Sequence, residues 1–122
     1  MTREEMKART KAYAKRIVKL CAALPDEWVA RTLGKQLLRS GTSVGANYRA
    51  VCRAKSTADF LNKLRIVEEE CDESLFWMEL LVECDVVSSR RLTNLMQEAN
   101  EILSIVVASA KTVRTSPTPR KS

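Results

Sequence analysis

The chain has 122 residues, enough for one domain and too few for two independent cores. With 45% hydrophobic and 30% charged residues, and 21 Lys and Arg against 15 Asp and Glu, it is not compositionally disordered, and its net charge of +6 marks it as basic. Three glycines and three prolines are too little turn punctuation for a β-rich fold, so long helices joined by short loops are expected.

The first helix is predicted over about 3–23. Met6, Thr10, Tyr13, Ile17, Leu20 and Leu24 recur at alternating steps of four and three and form one apolar seam. Leu24-Pro25-Asp26 breaks it, because proline has no N–H and disfavours helix at the preceding residue. A second helix over 28–54, with Asp26 as its N-cap, carries Val29, Leu33, Leu37, Ser40, Val44, Asn47 and Val51 at heptad-like steps. Ser56-Thr57-Ala58-Asp59 resembles a capping box and opens a third helix over 57–85, whose seam is Phe60, Leu64, Val67, Cys71, Leu75, Met78 and Val82. Ser88 or Ser89 caps a fourth over 89–113, with Leu92, Leu95, Ala99, Ile102, Val106 and Val113 inward. The segment 115–122 has no periodicity and reads as a disordered basic tail, leaving 1–114 as the folded domain. The fold class is therefore all-α, an antiparallel up-down-up-down four-helix bundle.

Two helices carry more than a single seam. Gly41 and Gly45 lie inside the second, where each costs about 1 kcal/mol relative to alanine. Close approach of a neighbouring backbone is the expected compensation; the alternative is a kink or break. In the third helix, Ile66, Phe76, Trp77 and Leu80 cluster away from the seam. A helix apolar on two sides needs two partners, which points to self-association through these four residues. The alternative is that Phe76 and Trp77 pack at the edge of the intramolecular core.

Charge is segregated. The first helix is net +5, the second +6 with no acid, and the third −7, while the fourth is near neutral. Arg31, Lys35, Arg39, Arg49 and Arg53 fall within an arc of roughly 80° opposite the seam and span about 33 Å. Lys7, Lys11, Lys15 and Lys19 likewise face outward on the first helix. Such stripes are the electrostatic footprint of nucleic-acid contact, mainly with phosphates. The competing reading is that the acidic third helix neutralises the second, within the chain or between subunits. Only Tyr48 interleaves with the basic stripe, which argues against base stacking on single strands.

No histidine occurs, so the commonest general base and metal ligand are missing, and there is no phosphate-binding glycine loop or nucleophile motif. The acidic run on the third helix reads as a solvated or salt-bridged face. No catalytic residue, metal site or cofactor is expected, and the chain is not read as an enzyme. Cys21, Cys52, Cys71 and Cys84 lack metal-ligand spacing and read as reduced, mostly buried thiols. Met1 to Thr10 lacks a signal-peptide core and no apolar run approaches the ~20 residues of a membrane span, so a cytoplasmic protein is expected.

Gln36-Leu37-Leu38-Arg39-Ser40-x-x-Ser43-Val44-x-Ala46-Asn47-Tyr48, followed by Ser56-x-x-Asp59-Phe60-x-x-Lys63-Leu64 and Glu70-x-x-Glu73-x-x-x-Trp77-x-Glu79-Leu80-Leu81, resembles the 23S ribosomal RNA intervening-sequence protein family. Tyr13-x-x-x-Ile17-x-x-Leu20-x-x-x-Leu24-Pro25 agrees with it, and the likeness covers about residues 10–112. That family is similar to the accessory protein of bacterial diversity-generating retroelements. The resemblance implies a four-helix bundle assembled as a homopentamer, with nucleic acid and a reverse transcriptase as possible partners. Ser40, Ser43, Asn47, Glu70 and Glu73 then read as architectural motif residues. Glu70 or Glu73 is expected to accept hydrogen bonds from Ser43 and Asn47 and so fix the register of two helices. Two functions remain: a nucleic-acid-binding accessory protein, or a scaffold docking an acidic or reverse-transcriptase-type partner without touching nucleic acid.

Overall fold

The computed structural model describes residues 1–115 and contains four helices: α1 (Arg3–Ala22), α2 (Trp28–Val51), α3 (Thr57–Glu83) and α4 (Ser89–Arg114). Apart from Thr115, which caps α4, the expected tail lies outside the described residues. The first three helices end one to three residues before the periodicity alone suggests. At α2, for example, Arg53 and Ala54 donate their N–H groups to Ala50 and Val51, three residues back, which tightens the last turn.

Side-chain caps open three of the helices. Thr2 and Glu5 form a reciprocal capping box at α1. At α2 the cap is Glu27, whose carboxylate accepts the N–H groups of Val29 at 3.2 Å and Ala30 at 2.6 Å. The expected cap, Asp26, stands one residue too far out and instead pairs with Arg31 at 2.6 Å. Ser56 caps α3 through the Asp59 N–H, while the Asp59 carboxylate accepts from the backbone of Lys55, one position beyond a true box. Between α3 and α4, Asp85 takes a left-handed φ of 59°. The N–H groups of Asp85 and Val86 return to Val82 and Leu81, a Schellman ending with Asp in the place usually held by glycine.

The helices pack in ring order, α1 on α2, α2 on α3, α3 on α4, with α4 returning to α1 through the slightest of the four contacts. This is the up-down-up-down bundle expected. Most seam positions are buried, including Met6, Tyr13, Ile17, Leu64, Val67, Met78, Leu92, Ile102 and Val106. Leu20, Leu24, Val82 and Val113 are only half-buried, and at the last two levels Leu81 and Ala110 take the inner place.

α2 runs unbroken through its glycines, and on its α1 side they are what the helices touch. A Cβ on Gly34 would meet Leu24 at 2.7 Å, one on Gly41 would meet Ile17 at 2.7 Å, and one on Gly45 would meet the Thr10 carbonyl oxygen at 3.0 Å. The close approach of α1 fixes an antiparallel register and offsets the helix-propensity cost of these residues.

Candidate nucleic-acid interface

That register decides where the cations go. With Ile17 against Gly41 and Thr10 against Gly45, the apolar seams and glycines of α1 and α2 turn inward and the basic positions turn out. Lys11, Lys15, Lys19, Arg31, Lys35, Arg39, Arg49 and Arg53 are all exposed, and Lys7 is half-buried. The two basic rows run antiparallel on adjacent helices and make one face of the bundle. Val18 on α1 and Leu38 on α2 are exposed as well.

Among the described residues, the acids of α3 pair with one of these cations, Arg39. Arg39 donates to Glu70 at 3.1 Å and to Glu73, bridging α2 to α3. Arg31 is tied to Asp26. Among the described residues, Lys7, Lys11, Lys15, Lys19, Lys35, Arg49 and Arg53 form no ion pair. The exposed carboxylates Glu69, Asp72, Glu79 and Glu83 project from α3 away from α2.

The bridging Arg39 corrects the role expected of Ser43 and Asn47. Asn47 Nδ2 donates to the Ser43 carbonyl at 2.9 Å and to Ser43 Oγ at 3.3 Å, both within α2. Glu70 and Glu73 accept from a guanidinium instead of an amide, since a charge-assisted pair is the stronger bond. Ser40 is fully buried and bonds back to the Gln36 carbonyl at 2.9 Å.

On α3, Phe76 is 52% exposed and stands edge-on to Trp77 with ring centroids 5.0 Å apart. Trp77 packs against the core and donates its indole N–H to Glu73 at 3.2 Å. Ile66 and Leu80 are half-buried, so Phe76 alone of the four is largely in solvent.

The aromatic on the basic face is not Tyr48, which is 5% exposed and belongs to the core. It is Trp28, at 70% exposure, which falls within the outward arc of Arg31, Lys35, Arg39 and Arg53 at 100° per residue. Seven-residue spacing from Lys35 was the available signal, and the apolar character of tryptophan hid it.

Among the described residues no group of three or more Cys, Asp or Glu side chains is placed to hold a metal ion, and no helix is long and apolar enough to cross a membrane. Burial pushes the Cys21 thiol up to about 11 and the Cys71 thiol up to about 12, which keeps both protonated near neutral pH. Cys84, against expectation, is exposed on the short turn after α3.

Residues 4–108 match the family described as 23S rRNA-intervening sequence protein. The fold is similar to the 1.70 Å crystal structure of a protein of unknown function from the S23 ribosomal protein family of Bacteroides thetaiotaomicron. The TM-score is 0.84 at 36% identity, over 92% of this chain and 100% of the other. No curated protein matches the chain.

Proposed function

The chain belongs to the 23S rRNA-intervening sequence protein family, and on that premise we propose that it is a non-enzymatic accessory protein holding RNA or DNA by the phosphates through α1 and α2. The observation that carries this reading is the unneutralised set of cations: seven of them, on α1, on α2 and in the turn that ends α2, have no ion-pair partner among the described residues. An array of fixed cations displaces condensed counterions from a polynucleotide, which gives affinity with little sequence readout. Self-association through α3 around Phe76 would multiply such faces. A homopentamer and a reverse-transcriptase partner, both suggested by the likeness to retroelement accessory proteins, complete the reading.

A salt titration of binding to labelled structured RNA and duplex DNA, with particle mass followed by light scattering, tests it. The expected result is log affinity falling steeply with log salt, and loss of binding when Lys35, Arg49 and Arg53 become Glu while particle mass is unchanged. Absence of binding at low salt by a folded protein overturns it and assigns the same face to an acidic protein partner.

A further inference from the structure

Trp28 is the most exposed aromatic among the described residues and, unlike Phe76, has no aromatic neighbour. It is 70% exposed, is absent from the side chains packed on the core, and its indole N–H has no partner among the described residues. Trp77, by contrast, is half-buried with its N–H bonded to Glu73.

Asp26 is paired with Arg31, and Glu27, which caps α2 through the Val29 and Ala30 N–H groups, keeps its negative charge against the positive end of the helix dipole. Along the outward arc beyond this first turn the unpaired charges are positive. Lys35 lies about 10 Å and Arg49 about 32 Å along the axis at 1.5 Å per residue. A flat π-surface at one end of a cationic row matches a strand whose base is free to stack while its phosphates follow the row. A continuous duplex keeps its bases paired and offers the ring nothing.

We propose that Trp28 is a base-stacking residue, so that the cationic face takes single-stranded segments, loops or frayed ends in preference to uninterrupted duplex. This rests on the nucleic-acid reading above and adds the class of ligand to it.

The test compares a short oligothymidylate with a duplex of equal length at one low salt concentration, using wild type, Trp28→Ala and Trp28→Phe. Binding is followed by anisotropy of the labelled nucleic acid, and intrinsic tryptophan emission is recorded with unlabelled strand. The single strand is expected to quench wild-type emission. Trp28→Ala should weaken single-strand binding about tenfold, leave duplex affinity and the salt slope unchanged, and abolish the quenching. Trp28→Phe should restore most of the affinity. Because the side chain is exposed, Trp28→Ala should melt with wild type. Equal single-strand affinity of wild type and Trp28→Ala overturns the stacking role while leaving phosphate binding in place. Emission that shifts with protein concentration alone in wild type and not in Trp28→Ala overturns it in favour of a subunit contact at Trp28. A wild type that binds neither probe overturns both readings.

Discussion

Tyr13 in α1 and Ser74 in α3 share a hydrogen bond of 2.8 Å across the diagonal of the bundle, between two helices that are not ring neighbours. Both are fully buried, and Ser74 Oγ donates its proton to the Cys71 carbonyl at 2.7 Å, which leaves the Tyr13 hydroxyl as the donor across the core. Burial raises the Tyr13 phenol above its usual range, so it keeps that proton near neutral pH. Tyr13→Phe removes the donor but leaves Ser74 bonded to Cys71, at an expected cost of about 1 kcal/mol. Ser74→Ala strands the buried phenol and should cost more, about 2 kcal/mol. Urea unfolding of both variants and the double mutant measures the coupling; strictly additive costs would deny it.

The glycines of α2 should rank by what each would strike. At Gly41 a methyl meets three carbons of the buried, β-branched Ile17, and at Gly45 it meets the backbone of Thr10. Neither obstacle yields easily, so Gly41→Ala and Gly45→Ala should each destabilise by about 1–3 kcal/mol despite better helix propensity. At Gly34 the obstacle is the end of half-buried Leu24, which can rotate aside. Gly34→Ala should therefore be neutral or stabilise by up to about 1 kcal/mol. Thermal melts of the three variants give the order directly.

Arg39 rather than Asn47 should matter to the α2–α3 pairing. Arg39→Ala leaves Glu70 and Glu73 facing each other without a cation, and about 1 kcal/mol of destabilisation is expected, weakening as salt rises. Asn47 bonds only within its own helix, so Asn47→Leu should shift the melting temperature by no more than a few degrees. A large loss on Asn47→Leu would restore a cross-helix role to that amide.

The α1–α4 seam should be sensitive to acid. Arg9 makes two 2.7 Å bonds to Glu98 and a third to Glu101, and these hold the Glu98 carboxyl below its ordinary value. Because the folded-state value is the lower one, the stabilisation is complete above the unfolded carboxyl's range near pH 4.3 and fades as pH falls through the folded value. Denaturant unfolding should show Glu98→Gln less stable than wild type by about 1 kcal/mol at pH 7, with the gap closing towards pH 3. A gap constant with pH would place the stabilisation in packing.

Helix number, order and most inward positions were legible because the seams at Met6–Ile17, Phe60–Met78 and Leu92–Val106 keep a strict period that only a helix satisfies. The need for a close neighbour at Gly41 and Gly45 was legible too, since a helix interior penalises glycine. Side-chain partnerships were not. A period gives the face on which Arg39, Ser43 and Asn47 lie, but the relative register of α2 and α3 decides which of them meets Glu70. Tyr48 and Trp28 are different: the helical period places Tyr48 one turn after Val44 on the inner side and Trp28 in the outward arc, a signal that the amphipathic character of both aromatics obscured.

The ring order has a kinetic consequence. Each of the three intimate contacts joins helices adjacent in the chain, so most of the core can form by successive hairpin closure with short loops. Among the described residues, the contacts that require distant segments to meet include the Arg9–Glu98 pair, the Tyr13–Ser74 bond and the Arg3 guanidinium over the Phe60 ring, the first two at separations of 89 and 61 residues. Such a chain has low contact order and should fold in microseconds to milliseconds. Its last act is to bring the outermost helices edge to edge, so substitutions at Arg9 should accelerate unfolding and leave the folding rate nearly unchanged.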